Sequence, residues 1–131
     1  MAYYFNKKVS VGTFEEALDL VSAALKKEGF GVLTEIDVQD TLKKKINVDF
    51  KKYTILGACN PHFANKALQC EDKIGVLLPC NIIVEENNDG GIEVSAVDPI
   101  ESMSTVNNES LSEIALEVQQ KLKNVIESLP S

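Results

Sequence analysis

The sequence predicts an α+β domain, an antiparallel sheet with helices packed on it, and three observations lead there. Residues 110–129 place Leu111, Ile114, Ala115, Val118, Leu122 and Val125 at steps of three and four, followed by Ile126 and Leu129. That period puts all of them on one stripe of a long helix. Asn87-Asn88-Asp89-Gly90-Gly91 is a polar, glycine-ended turn between two strand-like runs, the mark of a β-hairpin. Helical and extended patterns do not alternate strictly along the chain, which disfavours a doubly wound parallel sheet.

The elements follow in order. Tyr3 to Val11 is rich in aromatic and β-branched residues and reads as a strand, ended by Gly12. Thr13 with Glu16 three residues on forms a capping box, so a helix starts there. Phe14, Ala17, Leu18, Val21, Ala24 and Leu25 form its apolar stripe, and Gly29 closes it. Phe30 to Ile36 is a second strand, and Asp37 caps a short helix reaching Ile46. Tyr53 to Cys59 is a third strand, mostly apolar and therefore buried. Asn60 and Pro61 fit the N-cap and first turn of a helix ending near Glu71. Gly75 to Glu86 reads as a long strand in which Pro79, which cannot donate to a ladder, marks a bulge or an edge. Ile92 to Val97 returns from the hairpin, Asp98-Pro99 opens a short turn, and Ser110 with Glu113 is a second capping box before the last helix.

A chain of 131 residues fits one domain, 1–131, large enough to fold without a disulfide or a metal. The net charge of −7 argues against binding nucleic-acid backbones or anionic membranes. The start of the chain shows no basic segment followed by an apolar run, and no apolar stretch is long enough for a bilayer, so a cytoplasmic protein is expected. Three cysteines at uneven spacing form no disulfide framework and read as free thiols.

Motifs that carry chemistry are few. The chain lacks Gly-x-Ser-x-Gly, a phosphate-cradling glycine loop and His-Glu-x-x-His. Two segments stand out, Cys59-Asn60-Pro61 and Pro79-Cys80-Asn81, each a Cys-Asn pair beside a proline. Cys59 precedes a predicted helix N-terminus, where free N–H groups favour a thiolate. The plain reading of Cys59 and Cys80 as small core residues is the more frequent one, and Cys70, at a helix end, is more simply structural still. A metal reading joins Cys59, His62 and Cys80, two thiolates and an imidazole suited to zinc or copper. Asp98 reads first as the cap of the turn at Pro99; facing a cleft with Cys59 and Asn81, it would instead hold a cation or act as a base. Lys43, Lys44, Lys45, Lys51 and Lys52, with only Asp49 among them, offer either a site for an anion or a solvated face.

Four separated stretches then show a resemblance. Phe30 to Gln39, Tyr53 to Pro61, Ile74 to Asn81 and Glu93 to Pro99 resemble, in order and over nearly the whole chain, the prokaryotic family of domain of unknown function number 302. The resemblance implies a β-α-β(4)-α arrangement of the TATA-binding-protein-like class and a homodimer. It implies no catalytic residue, and the likeness of fold carries no nucleic-acid function with it. The resemblance implies varied residues where this chain has His62 and Phe63, which weakens His62 as a required ligand.

The expected function is a non-catalytic module that binds a small ligand or a soft metal at Cys59, Asn60, Cys80, Asn81 and Asp98. The alternatives are a thiol-dependent enzyme or redox protein using Cys59 or Cys80, and an interaction or assembly domain.

Overall fold

Five short extended segments, and one apolar stripe on each of two long helices, favour a sheet with helices packed on one face. The computed structural model describes residues 2–131 and shows that arrangement. The strands are β1 (Tyr4–Val9), β2 (Gly31–Asp37), β3 (Tyr53–Cys59), β4 (Cys80–Glu86) and β5 (Ile92–Val97). The helices are α1 (Phe14–Lys27), α2 (Val38–Ile46), α3 (Pro61–Cys70), α4 (Pro99–Ser102) and α5 (Glu109–Ser128), with a 3-10 helix over Asp72–Leu77. All neighbouring strands are antiparallel, in the order β1-β5-β4-β3-β2. The expected β-α-β(4)-α core is present, with α2 and α3 set between strands of its four-strand part.

The core lies between the sheet and helices α1 and α5. Val21 and Leu25 of α1 and Leu122 and Val125 of α5 meet Leu56, Ile82 and Val94 from the sheet, all essentially inaccessible. Burying side chains of this size contributes about 1.5–3 kcal/mol each. Helix ends are fastened by named groups. Thr13 Oγ1 accepts from Glu16 N–H at the start of α1, and the Lys7 ammonium donates to the carbonyls of Glu127 and Leu129 at the end of α5. Gly29 follows α1 with φ at +86°, as a left-handed helix exit requires.

Two expectations are corrected. Residues 72–77 are 3-10 helix, and the strand begins only at Cys80. Pro79 offers no N–H to a ladder, and the segment before it closes on itself through Leu78 N–H to the Gly75 carbonyl. The cap of α5 is Asn108, whose side chain accepts from Leu111 N–H at 3.3 Å; Ser110 and Glu113 lie inside the helix. Asn108 also donates to the carbonyl of Cys70 at 2.8 Å, which ties the start of α5 to the end of α3 and outweighs the sequence-local box.

A second, smaller apolar cluster forms away from the sheet. Ala67 of α3, Ile74 of the 3-10 helix and Leu111 of α5 are buried together, with Leu78, Met103 and Val106 packed on them. The seam between this cluster and the main core positions the site.

Candidate functional site

Small side chains stand where the two cores meet. Ala58 on β3, Ala64 and Ala67 on α3 and Ala115 on α5 face one another and leave a cavity of about 340 Å³. Phe30, Phe63, Leu78, Pro99, Met103 and Val118 complete much of its wall. Leu33, Leu68 and Gly75 line it while remaining exposed, so they mark the side open to water. The volume falls at the lower end of the range for small-molecule sites. Among its lining residues none is Asp, Glu, Lys, Arg or His. Apart from the Met103 thioether, its side chains are hydrocarbon but for two thiols and one amide.

Those three groups are Cys59, Cys80 and Asn60, so the structure brings together three of the residues singled out from sequence. Cys80 stands directly opposite Ala58 in the β3–β4 ladder, and Cys59 is the next residue along β3. Cys80 is 8% exposed and Cys59 half-buried. Burial, and secondarily the neighbouring Cys59, pushes the Cys80 thiol up to about 11, so it stays protonated at neutral pH. Asn60 is the N-cap of α3. Its side-chain carbonyl accepts from Phe63 N–H at 3.5 Å, and its amide donates to the Glu28 carbonyl at 3.4 Å. That second bond joins α3 to the end of α1 beside Gly29.

The remaining candidates lie elsewhere. Asn81 is exposed and borders a hollow on the opposite face of the sheet, with Tyr53 and Glu85. Adjacent residues of a strand point to opposite faces, which separates Asn81 from Cys80. Asp98 is buried and fully engaged. It accepts from Ile100 N–H at 3.0 Å and receives the Gln119 amide on both oxygens at 3.1 Å. It is the cap of α4 and does not line the cavity, so the cleft with Cys59 and Asn81 is not formed. His62 is exposed on the first turn of α3 and is no part of the cavity wall. Among the described residues no three His, Cys, Asp or Glu side chains gather as a metal site, so Cys59, His62 and Cys80 are not assembled as ligands. Cys70 donates to the Ala67 carbonyl at 3.4 Å, a bond internal to its helix.

The lysine cluster is exposed and largely paired. Lys43 meets Asp49 at 2.9 Å, Lys44 meets Asp40 at 2.9 Å and Lys51 meets Glu85 at 2.6 Å. Carboxylates already serve most of the cations an anion would need.

Sequence reasoning missed the cavity itself. Ala64, Ala67 and Ala115 sit on helix stripes that read only as core. The available signal was their size: three alanines on helices that face one another leave space where leucines would fill it.

Comparison with known proteins agrees with the fold. The family model described as "Domain of unknown function DUF302" matches residues 5–129, and the chain belongs to that family. A crystal structure of an "uncharacterized conserved protein DUF302 from Bacillus stearothermophilus" superposes with a TM-score of 0.89 at 30% identity, covering 97% of this chain and 98% of that one. An "Uncharacterized protein" of Aquifex aeolicus (strain VF5) is 28% identical over 94 residues, 72% of this chain and 59% of that relative's length. This chain therefore matches only part of the longer relative. Among the described residues, no helix is long and apolar enough to cross a membrane.

Proposed function

We propose that this protein is a non-catalytic module that holds a small, uncharged, apolar ligand in the cavity between β3, β4, α3 and α5. The observation that carries the reading is the wall: about 340 Å³ of space bounded mostly by hydrocarbon, with no carboxylate, imidazole, ammonium or guanidinium group on it. A charged ligand would be desolvated there without a partner, which is costly. Acid–base catalysis would need a group of matched pKa within reach of the ligand, and the two thiols are the sole titratable groups on the wall. The cysteines remain in the reading as wall residues, Asn60 as the bolt between α1 and α3, and Asn81 and Asp98 drop out of the site.

Fluorescence titration with an uncharged environment-sensitive dye tests this. The dye is expected to bind one per chain, and a sulfonated analogue to bind at least tenfold more weakly. Ala64→Phe, at a half-buried lining position, is expected to abolish binding while the fold persists. Equal binding of both dyes, or full binding by Ala64→Phe, counts against the reading.

A separate observation favours self-association. Ile36, Ile55 and Ile83 stand in one cross-strand row on the sheet face away from α1 and α5. Ile36 is 47% exposed and the other two are only half-buried. A sheet face of this character gains free energy when a second layer covers it. We infer that a second copy of the chain supplies that layer. Light scattering is expected to give twice the chain mass of 14.4 kDa, and Ile83→Lys to return it to that of one chain. A wild-type mass of one chain overturns the inference.

A further inference from the structure

We propose that a hollow on the far face of the sheet, lined by Tyr3, Tyr4 and Tyr53 with Glu85 and Glu93, binds a small quaternary ammonium ion. It is a second site, opposite in chemistry to the apolar cavity, and it does not depend on the reading of that cavity.

Strand register builds the hollow. Tyr53 stands opposite Glu85, and Glu85 opposite Glu93, so one ring and two carboxylates share a cross-strand row. Their sequence neighbours Thr54, Val84 and Val94 are buried, and strand alternation therefore sends the row to the face away from α1 and α5. On β1 the Tyr4 ring meets the Tyr3 ring edge-on, with centroids 5.1 Å apart. These groups bound about 400 Å³ of space, and all 3 tyrosines of the chain are on it. None of its lining residues is Lys, Arg or His.

Three observations point to a cation. Glu85 and Glu93 are like charges directly opposite each other in an antiparallel ladder, a costly pair that a cation relieves. The chain's own Lys51 shows the preference: its ammonium meets Glu85 at 2.6 Å and lies 5.9 Å from the Tyr53 ring centroid. Glu93 has no ion-pair partner among the described residues, and Lys8, opposite it on β1, does not supply one. The Asn87 and Asn6 amides hold the Glu93 carboxyl below its ordinary range, so it stays charged at neutral pH.

The same hydrogen bonds select the kind of cation. Both Glu93 oxygens already accept from amides, and one Glu85 oxygen accepts from Lys51. A guest is met chiefly by charge and by ring faces, with few acceptors left for N–H donors. That suits a fully methylated ammonium better than a primary one. The isoleucine row assigned to a second copy shares only Ile83 with the hollow, so Ile83 is left unchanged in the test.

The test is an NMR titration of the full chain with choline, followed at the tyrosine ring resonances. One saturating site per chain is expected. The neutral carbon isostere, with a tert-butyl group in place of the trimethylammonium, is expected to bind at least about tenfold more weakly. Tyr3→Leu, at a position 68% exposed and so without consequence for the core, is expected to weaken choline at least about fivefold. Glu93→Gln, which removes the charge and keeps the shape, is expected to do the same. Lys51→Met frees Glu85 of its resident cation and is expected to strengthen binding. Shifts that do not saturate, equal binding of the neutral isostere, unchanged affinity in Tyr3→Leu or Glu93→Gln, or weaker binding by Lys51→Met each overturn the proposal.

Discussion

Gln119 donates its amide to both carboxylate oxygens of Asp98 at 3.1 Å, so the middle of α5 is pinned to the point where β5 turns into α4. Asp98 also draws its backbone N–H onto the Tyr3 carbonyl at 2.8 Å, which brings the edge of β1 into the same junction. The cavity depends on this joint, because Pro99 and Val118, its immediate neighbours in sequence, are wall residues. Asp98→Ala removes the acceptor from the half-buried Gln119 amide and from Ile100 N–H. The loss expected is about 2–4 kcal/mol in urea melts. Asp98→Asn, which keeps one oxygen for the cap, is expected to cost less.

Cys80 makes stability depend on alkaline pH. Its folded-state thiol titrates at about 11, above the ordinary value of 9.0. A group raised on folding contributes stability that is complete below its unfolded value and lost as pH climbs through the folded one. The midpoint of urea unfolding is therefore expected to fall between pH 9 and pH 11, and Cys80→Ala to flatten that slope. An unchanged slope in the variant contradicts burial of the thiol.

Asn60 separates two structural duties. Asn60→Asp keeps the cap acceptor for Phe63 N–H and loses the donor to the Glu28 carbonyl, while Asn60→Ala loses both. The alanine variant is expected to lose about 1–2 kcal/mol of stability, the usual cost of an N-cap. Aspartate also places a charge beside an apolar wall, so its dye affinity is expected to drop more than its stability does.

Gly57 is fixed by close approach. A Cβ there would meet Thr34 Oγ1 at 2.1 Å and Pro79 Cγ at 2.8 Å. Gly57→Ala is expected to cost roughly 1–3 kcal/mol by overpacking. Thr34→Ala removes the nearer clash, so the double variant is expected to recover part of the loss, a coupling that a thermodynamic cycle measures.

Much of this architecture was legible in the chain. The stripe from Leu111 to Leu129, the Thr13 cap, the hairpin at Asn87–Gly91 and the Asn60-Pro61 helix start all report local physics, and each is found in place. The 3-10 helix was not legible, because Ile74 to Leu78 has an apolar run that a strand and a short buried helix share. Asn108 was hidden as a cap because its choice over Ser110 depends on the distant Cys70 carbonyl. At the site, Cys59, Asn60 and Cys80 were found by their odd pairing with prolines. Asn81 was drawn in by adjacency to Cys80, although strand alternation sends it to the other face. The alanines that create the cavity give no local signal, since empty space is a property of facing elements rather than of any one of them.

The cavity claim is tested most directly by methyl NMR during titration with naphthalene, an uncharged aromatic of suitable size. Saturating shifts are expected at the methyls of Ala64, Ala67 and Ala115, with Ile36 and Ile83 on the far face unmoved. Shifts confined to those isoleucines, or none anywhere, would contradict a ligand held between the two cores.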